Sequence, residues 1–364
     1  MGIQSERFMR KYLLPVLFIL VFIFPADASA GPKTRAQVLS YLASLPSQSN
    51  KKVLSGQFIG WCGGIDAGLF DRIHSISGKY PGLMSANYSP FSGCGSASNL
   101  ISGPNSYLKT FWAAGGLVEV AWHAFNPVTM SWDHSTNVDL VELVTNGTTT
   151  NTNWKSMLDT VATALGDLQD NGVVVIFRPF LEMNSYPNTG FWWAGEDGTQ
   201  FRNMWIYTYN YLTTTKGLHN LLWVFAPDAT GLDPSPWYPG GAYVDIVGVD
   251  YYSSSGTFSQ PSSYSYLTGL GKPFALTEIG QCDFSGSGCT AKDSTNIITG
   301  IKNNMPSTVY WSNWNDVWAL DYHNNLPALL SDPWVVNRDD NPSGTLLPSG
   351  QNKLPVSPRG ITIQ

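Results

Sequence analysis

"VVVIFRPFLEMNS", residues 173–185, carries four β-branched residues and a phenylalanine straight into an arginine, a proline and a glutamate. A continuous apolar run that follows the Asn171-Gly172 turn signal suits a parallel sheet, whose strands are covered on both faces. It predicts a buried strand over 173–177 that ends by presenting Glu182. An ionised carboxylate in that place needs a partner or a task, because burying an unpaired charge is costly. Arg178 is near enough in sequence to be the partner, which would make Glu182 a structural ion pair closing a strand. The rest of the chain decides between that reading and a chemical one.

Outward from this segment, apolar or β-branched stretches recur as VLSGQF (53–58), LMSANY (83–88), LVEVAWHAF (117–125), LLWVFAPD (221–228), VDIVGVDYY (244–252), FALTEIG (274–280) and STVYWSNWND (307–316). With 173–180 that makes eight. The segments between them have helical periodicity, as over 153–169, where Trp154, Met157, Leu158, Val161, Leu165 and Leu168 fall on one face, and over 199–212. Eight strand-helix units in one chain predict a single-domain α/β fold, the (β/α)₈ barrel. An open doubly wound sheet competes less well, since no Gly-rich phosphate turn follows the first strand.

Of the 364 residues, 43% are hydrophobic and 13% charged, a balance that speaks for a compact globular body. The net charge is −6 and the lysines and arginines are scattered singly, which excludes the basic stripe a nucleic-acid partner needs. Arg7, Arg10 and Lys11, the apolar run from Leu13 to Phe24 and the small residues Ala28-Ser29-Ala30 match a signal peptide over 1–30. That run is too short to be a membrane anchor, which needs about 20 apolar residues. A secreted, extracellular and monomeric protein is expected, with the catalytic body over 31–338. The Pro-, Gly- and Ser-rich segment 339–364 is expected to be an irregular tail.

Export favours disulfides for Cys62, Cys94, Cys282 and Cys289 over a metal site, whose ligand spacing is absent. Pairing Cys282 with Cys289 and Cys62 with Cys94 joins segments that are able to be neighbours. Asn146-Gly147-Thr148 and Asn87-Tyr88-Ser89 are glycosylation sequons, the second weakened by Pro90. His74, His134, His219 and His323 show no metal-ligand spacing, and no HExxH, GxSxG or P-loop pattern occurs, so neither a metal nor another cofactor is expected.

Barrel enzymes place their chemistry at the C-terminal ends of the strands. Here those ends carry Trp122 and His123 on the third stretch, Glu182 on the fourth, and Asp250, Tyr251 and Tyr252 on the sixth. Glu278 ends the seventh, and Trp311 and Trp314 lie in the eighth. Two glutamates on the fourth and seventh strands make the carboxyl pair that glycoside hydrolysis requires, one acid and one nucleophile or base. The 14 Trp and 17 Tyr are numerous enough to fill a core, which is the better reading for Trp154 and Trp205 in their helices. Trp192 and Trp193, in a Gly-flanked segment just past Glu182, suit stacking on a sugar face instead.

The segments Arg178-Pro179-Phe180-Leu181-Glu182-Met183-Asn184 with Phe191-Trp192-Trp193, and Thr277-Glu278-Ile279-Gly280, resemble the two signature segments of glycoside hydrolase family 26. VLSGQ, AWH and GVDYY are similar to its first, third and sixth strands, so the resemblance spans about 35–335. It implies a secreted, retaining endo-β-mannanase with Glu182 as acid/base and Glu278 as nucleophile. It further implies that His123 and Tyr251 line the sugar-cleaving subsite, Tyr251 hydrogen-bonding the nucleophile, and that Trp311 floors it. Arg178 counts among the substrate-binding residues with Trp192 and Trp193. Members of the family usually carry His where Leu181 stands here, and leucine has no donor for a sugar hydroxyl. The expected partner is thus a polysaccharide or oligosaccharide: a β-1,4-mannan first, a mixed-linkage β-glucan or β-xylan second. A barrel that binds polysaccharide without turning it over is the reading from another class, and it has no need of both glutamates.

Overall fold

The computed structural model describes residues 34–89, 95–186 and 190–340. The expected signal peptide, Cys94 and the segment from 341 lie outside the described residues.

Eight parallel strands run in chain order around a closed barrel: β1 (Gly56–Trp61), β2 (Leu83–Asn87), β3 (Leu117–Trp122), β4 (Val175–Pro179), β5 (Leu221–Phe225), β6 (Ile246–Tyr252), β7 (Phe274–Gly280) and β8 (Thr308–Asn313). Pairing of Gln57 with Asn313 closes the ring. Each coincides with an expected stretch, β1 alone running past its stretch (53–58) to Trp61, because covered parallel strands are apolar on both faces and so stand out in sequence. The β4 strand is shifted toward its arginine: it begins at Val175 and ends at Pro179, three residues short of Glu182. Most connections are helical, the longest being Thr149–Asp170 after β3, and Gly198–Asn210 after β4 continues into a π-helical turn, Tyr211–Thr215. Between β5 and β6, one turn of 3₁₀ helix, Ser235–Trp237, replaces the expected helix. Among the described residues no helix is long and apolar enough to cross a membrane.

Residues alternate across each strand. On β4, Val175 and Phe177 pack outward against the helices, where Phe177 meets Trp223 edge to face, while Ile176 joins the apolar plug inside the barrel. That plug includes Leu83, Leu117, Leu222, Ile246 and Ala275, and Val38 and Leu42 of the N-terminal helix Arg35–Ser44 join it. The same parity sends Arg178 inward, one layer above the plug. There the interior changes from apolar to charged.

Two further expectations are corrected by this frame. The ordered body extends through Asp340, whose carboxylate holds Lys51 and Lys79, each at 2.8 Å, so the tail does not begin at 339. Asn87 is buried at the end of β2, its amide against the His123 ring, which removes it as a glycosylation acceptor, whereas Asn146 is exposed. The Cys282–Cys289 disulfide is present as expected, and Cys62 is disulfide-bonded as well.

Candidate active site

Arg178 is fully buried and reaches three carboxylates on three other strands. Its Nε donates to Glu119 on β3 at 3.2 Å, Nη1 to Asp250 on β6 at 2.8 Å and Nη2 to Glu278 on β7 at 2.5 Å. A guanidinium presents its donors as a rigid fork, so one side chain sets the relative positions of all three acids. Arg178 therefore does not line the cleft, and it compensates Glu278 rather than Glu182. Inward parity on a central strand forces this: the side chain has nowhere to go but the barrel axis.

Glu278 reaches that axis through an irregularity in the sheet. Val249 of β6 pairs with Leu276 of β7, but Asp250 pairs with Glu278, so β7 carries one extra residue at Thr277. Such a bulge re-aims the side chains beyond it. Thr277 then donates to Asp250 at 2.6 Å while the next residue, Glu278, also meets the central arginine. The second oxygen of Glu278 accepts from Tyr252 Oη at 2.8 Å. A Cβ on Gly280 would overlap the rings of Tyr252 and Trp318, so glycine at the end of β7 is what admits the tyrosine.

Glu182 sits in a tight turn beyond β4. Phe180 and Glu182 both have left-handed backbone, φ 51° and 55°, which costs about 1–2 kcal/mol for each non-glycine residue. Hydrogen bonds hold the turn: Glu182 N to Ala226 O at 2.8 Å, Trp193 Nε1 to Leu181 O at 2.8 Å, and the buried Asn184 amide to Asp228 O and Leu232 O. The result aims Glu182 into a cleft of about 520 Å³ at the C-terminal mouth, which Glu278, Asp250 and Tyr252 also line. One carboxylate oxygen from each of Glu182, Asp250 and Glu278 lies within 4.8 Å of the others.

A single guanidinium faces four carboxyl groups here, and burial pushes Glu119, Asp250 and Glu182 upward. The donors decide where a proton stays. Glu119 accepts from Ser85, Tyr310 and Arg178; Asp250 from Thr277 and Arg178; Glu278 from Arg178 and Tyr252. Among the described residues no donor reaches the carboxyl group of Glu182. Burial first, then the negative charges of Glu278 and Asp228, raise it to about 8. The pair is thus split into an acid that keeps its proton and a carboxylate whose oxygens accept from Arg178 and Tyr252.

Of the other expected site residues, His123 lines the cleft beside Glu182. Burial lowers it to about 3, so the imidazole is neutral, and its Nδ1 lies against the Asn87 side-chain amide. Tyr251 does not meet the nucleophile: its hydroxyl bonds Ser259 and its ring packs on Phe258 behind the sheet. The inward positions of β6 are Asp250 and Tyr252. Trp192 and Trp193 are buried rather than stacked on a sugar; Trp193 braces the Glu182 turn, and Phe191, stacked on Trp193 at 4.7 Å, takes the place in the cleft wall. Trp311 is fully buried on the outer face of β8. The tryptophan in the cleft is Trp314, whose ring stacks on Phe58 at 3.8 Å. Leu181 borders the cleft, is buried with the apolar cluster inside the barrel, and presents its carbonyl to Trp193. Glu119 was absent from the expected site although its signal was plain, a lone acid within the apolar run LVEVAW; Tyr252 and Trp314 were noted at their strand ends but given no role.

A barrel whose mouth holds one protonated carboxyl group this close to a second that is bonded to an arginine and a tyrosine is the active centre of a glycoside hydrolase. Residues 27–340 match glycosyl hydrolase family 26, and the chain belongs to that family. It is 37% identical over 343 residues to the mannan endo-1,4-beta-mannosidase A and B of Caldalkalibacillus mannanilyticus, covering 88% of this chain and 65% of that protein's length. Against the mannan endo-1,4-beta-mannosidase of Bacillus subtilis strain 168 it is 31% identical over 336 residues, 87% of this chain and 89% of the relative. The solved structure of Bacillus subtilis mannanase man26 superposes with a TM-score of 0.75 at 30% identity, over 85% of this chain and 94% of the other.

Proposed function

We propose that the protein is a secreted retaining glycosidase that cleaves internal β-1,4-mannosidic bonds of mannan, glucomannan or galactomannan. The observation that carries the mechanism is the approach of Glu182 and Glu278 oxygens to within 4.8 Å. Retaining enzymes hold their carboxyl groups about 5–5.5 Å apart, whereas inverting enzymes need about 6.5–9.5 Å to seat a water between sugar and base. The substrate class rests on the relatives, which carry mannanase names. Secretion rests on the N-terminal segment.

In this reading Glu182 gives its proton to the departing oxygen while Glu278 attacks the anomeric carbon, forming a glycosyl ester and breaking the glycosidic bond. Tyr252 and Arg178 hold Glu278 oriented for the attack. Once Glu278 is esterified its charge is gone, and with it one of the causes that raise Glu182. Glu182 then loses its proton more readily and serves as the base for the incoming water. The neutral His123 imidazole is able to hydrogen-bond a sugar hydroxyl, and the Trp314 ring offers a face for a sugar's C–H surface.

Reducing-sugar release from mannan, glucomannan, lichenan and xylan tests the substrate, and proton NMR of the first product tests the stereochemistry. Release from the mannans with a β-configured product is expected. Preferential release from lichenan or xylan overturns the substrate reading, and an α-configured first product overturns the mechanism.

A further inference from the structure

Phe284 is 80% exposed, more than any other large apolar side chain among the described residues. It stands on the loop after β7 and lines the same cleft as Glu182 and Glu278. Single exposed apolar residues are common on surfaces, but this one is held in place with unusual care. The Cys282–Cys289 disulfide closes the loop with Cα atoms 5.8 Å apart. Inside the loop the Asp283 carboxylate accepts from the amides of Ser285 and Gly286, both at 3.1 Å, and from the Ser285 hydroxyl at 2.6 Å. From below, Trp318 Nε1 donates to Asp283 O and Tyr322 Oη to Cys289 O, each at 2.9 Å. Gly286, with φ 64°, lies so close to Val317 and the Trp318 ring that a Cβ would need them to give way.

All of this order fixes the loop's backbone, and none of it buries Phe284. A ring carried on a fixed backbone beside the cleft costs less entropy to cover with a ligand than one on a free loop. The complementary surface is the C–H face of a pyranose ring, apolar in the middle and hydroxyl-bearing at its edge.

We propose that Phe284 is a sugar-stacking platform for a unit of the β-linked chain beyond those flanking the cleaved bond, and that the Cys282–Cys289 disulfide is its positioning device. The proposal rests on the glycosidase reading above and deepens it: the enzyme gains from chain length through this contact.

The test is kcat/KM measured from disaccharide to hexasaccharide in both the manno and the cello series, on the wild type, Phe284→Ala, Phe284→Trp and the double variant Cys282→Ser/Cys289→Ser. In Phe284→Ala the loss should grow with chain length, reaching about tenfold on the hexasaccharide, the worth of one desolvated aromatic contact, and appear mainly in KM. Phe284→Trp should restore the dependence. The double variant should reproduce the alanine pattern while a nitrophenyl glycoside assay confirms an intact barrel. A loss equal at every chain length, or no loss at any, overturns the platform. A double variant that keeps the full gain with length overturns the role of the disulfide. Cleavage confined to the cello series overturns the mannan assignment instead, and the same comparison within that series still decides the fate of Phe284.

Discussion

Tyr252 Oη donates to Glu278 Oε2 across 2.8 Å, while the Tyr251 hydroxyl points the other way, to Ser259 behind the sheet. Hydrogen bonds to a charged group are worth about 1.5–3 kcal/mol, so Tyr252→Phe should lower kcat/KM by about 10–100-fold. Tyr251→Phe should stay within about twofold. Steady-state kinetics on mannopentaose checks both, and the order reversed would return the nucleophile's partner to Tyr251.

Arg178 compensates three buried acids at once, which makes its removal a matter of stability before catalysis. Arg178→Met leaves Glu119, Asp250 and Glu278 without their shared cation, and breaking a buried pair costs about 3–5 kcal/mol. Unpaired buried carboxylates bind protons more readily in the folded state than in the unfolded one. The deficit should therefore be full at pH 8 and shrink as pH falls toward 4. Urea unfolding of wild type and variant at both pH values gives the difference, and a deficit independent of pH would contradict the charge-based account.

The alkaline limb of the pH profile follows from Glu182. Its proton is held up to about 8, so the protonated form needed for leaving-group departure persists through neutral pH and is lost only as pH rises past that value. A plot of kcat/KM against pH should fall above about 8 with the slope of one proton. Glu182→Gln, which has no proton to lose, should show low activity without that limb. A fall beginning near pH 5 would mean that the barrel does not raise this carboxyl group.

The two glutamates should separate by leaving group. Glu182→Ala removes protonic help, so hydrolysis of mannan should slow by about 10²–10⁴-fold while a nitrophenolate leaving group is released nearly as before. The ester on Glu278 then accumulates, and azide should speed its breakdown to a β-glycosyl azide. Glu278→Ala removes the nucleophile and should abolish both reactions. Equal impairment of both substrates in the Glu182 variant, with no response to azide, would leave Glu182 as a structural strand end.

Much of this architecture is written locally. The eight strands are covered on both faces, so their apolar runs are continuous, and the helix over 149–170 shows its face at a period any reading of the chain finds. Glu182 and Glu278 were legible too, as carboxylates at strand ends where apolar neighbours make a charge conspicuous. The pairing of Cys282 with Cys289 followed from their nearness in the chain.

What the chain did not show is which way each of these side chains turns. Trp192, Trp193 and Trp311 have the composition of a sugar platform, yet they lie in the aromatic layer between strands and helices, and Phe191 and Trp314 reach the cleft in their place. Adjacent residues on a strand face opposite sides, so an error of one position exchanges core for cleft, as with Tyr251 and Tyr252. The bulge at Thr277 depends on the register between two strands, a relation between segments rather than a property of either. The sequence by itself determined the barrel, its eight strands and the two acids, because burial and charge act residue by residue. The tertiary structure alone decided that Arg178 serves Glu119, Asp250 and Glu278, leaving the Glu182 carboxyl group without a donor among the described residues and with its proton. That choice depends on four strands meeting at one axis, where the competition for a single guanidinium is settled by geometry.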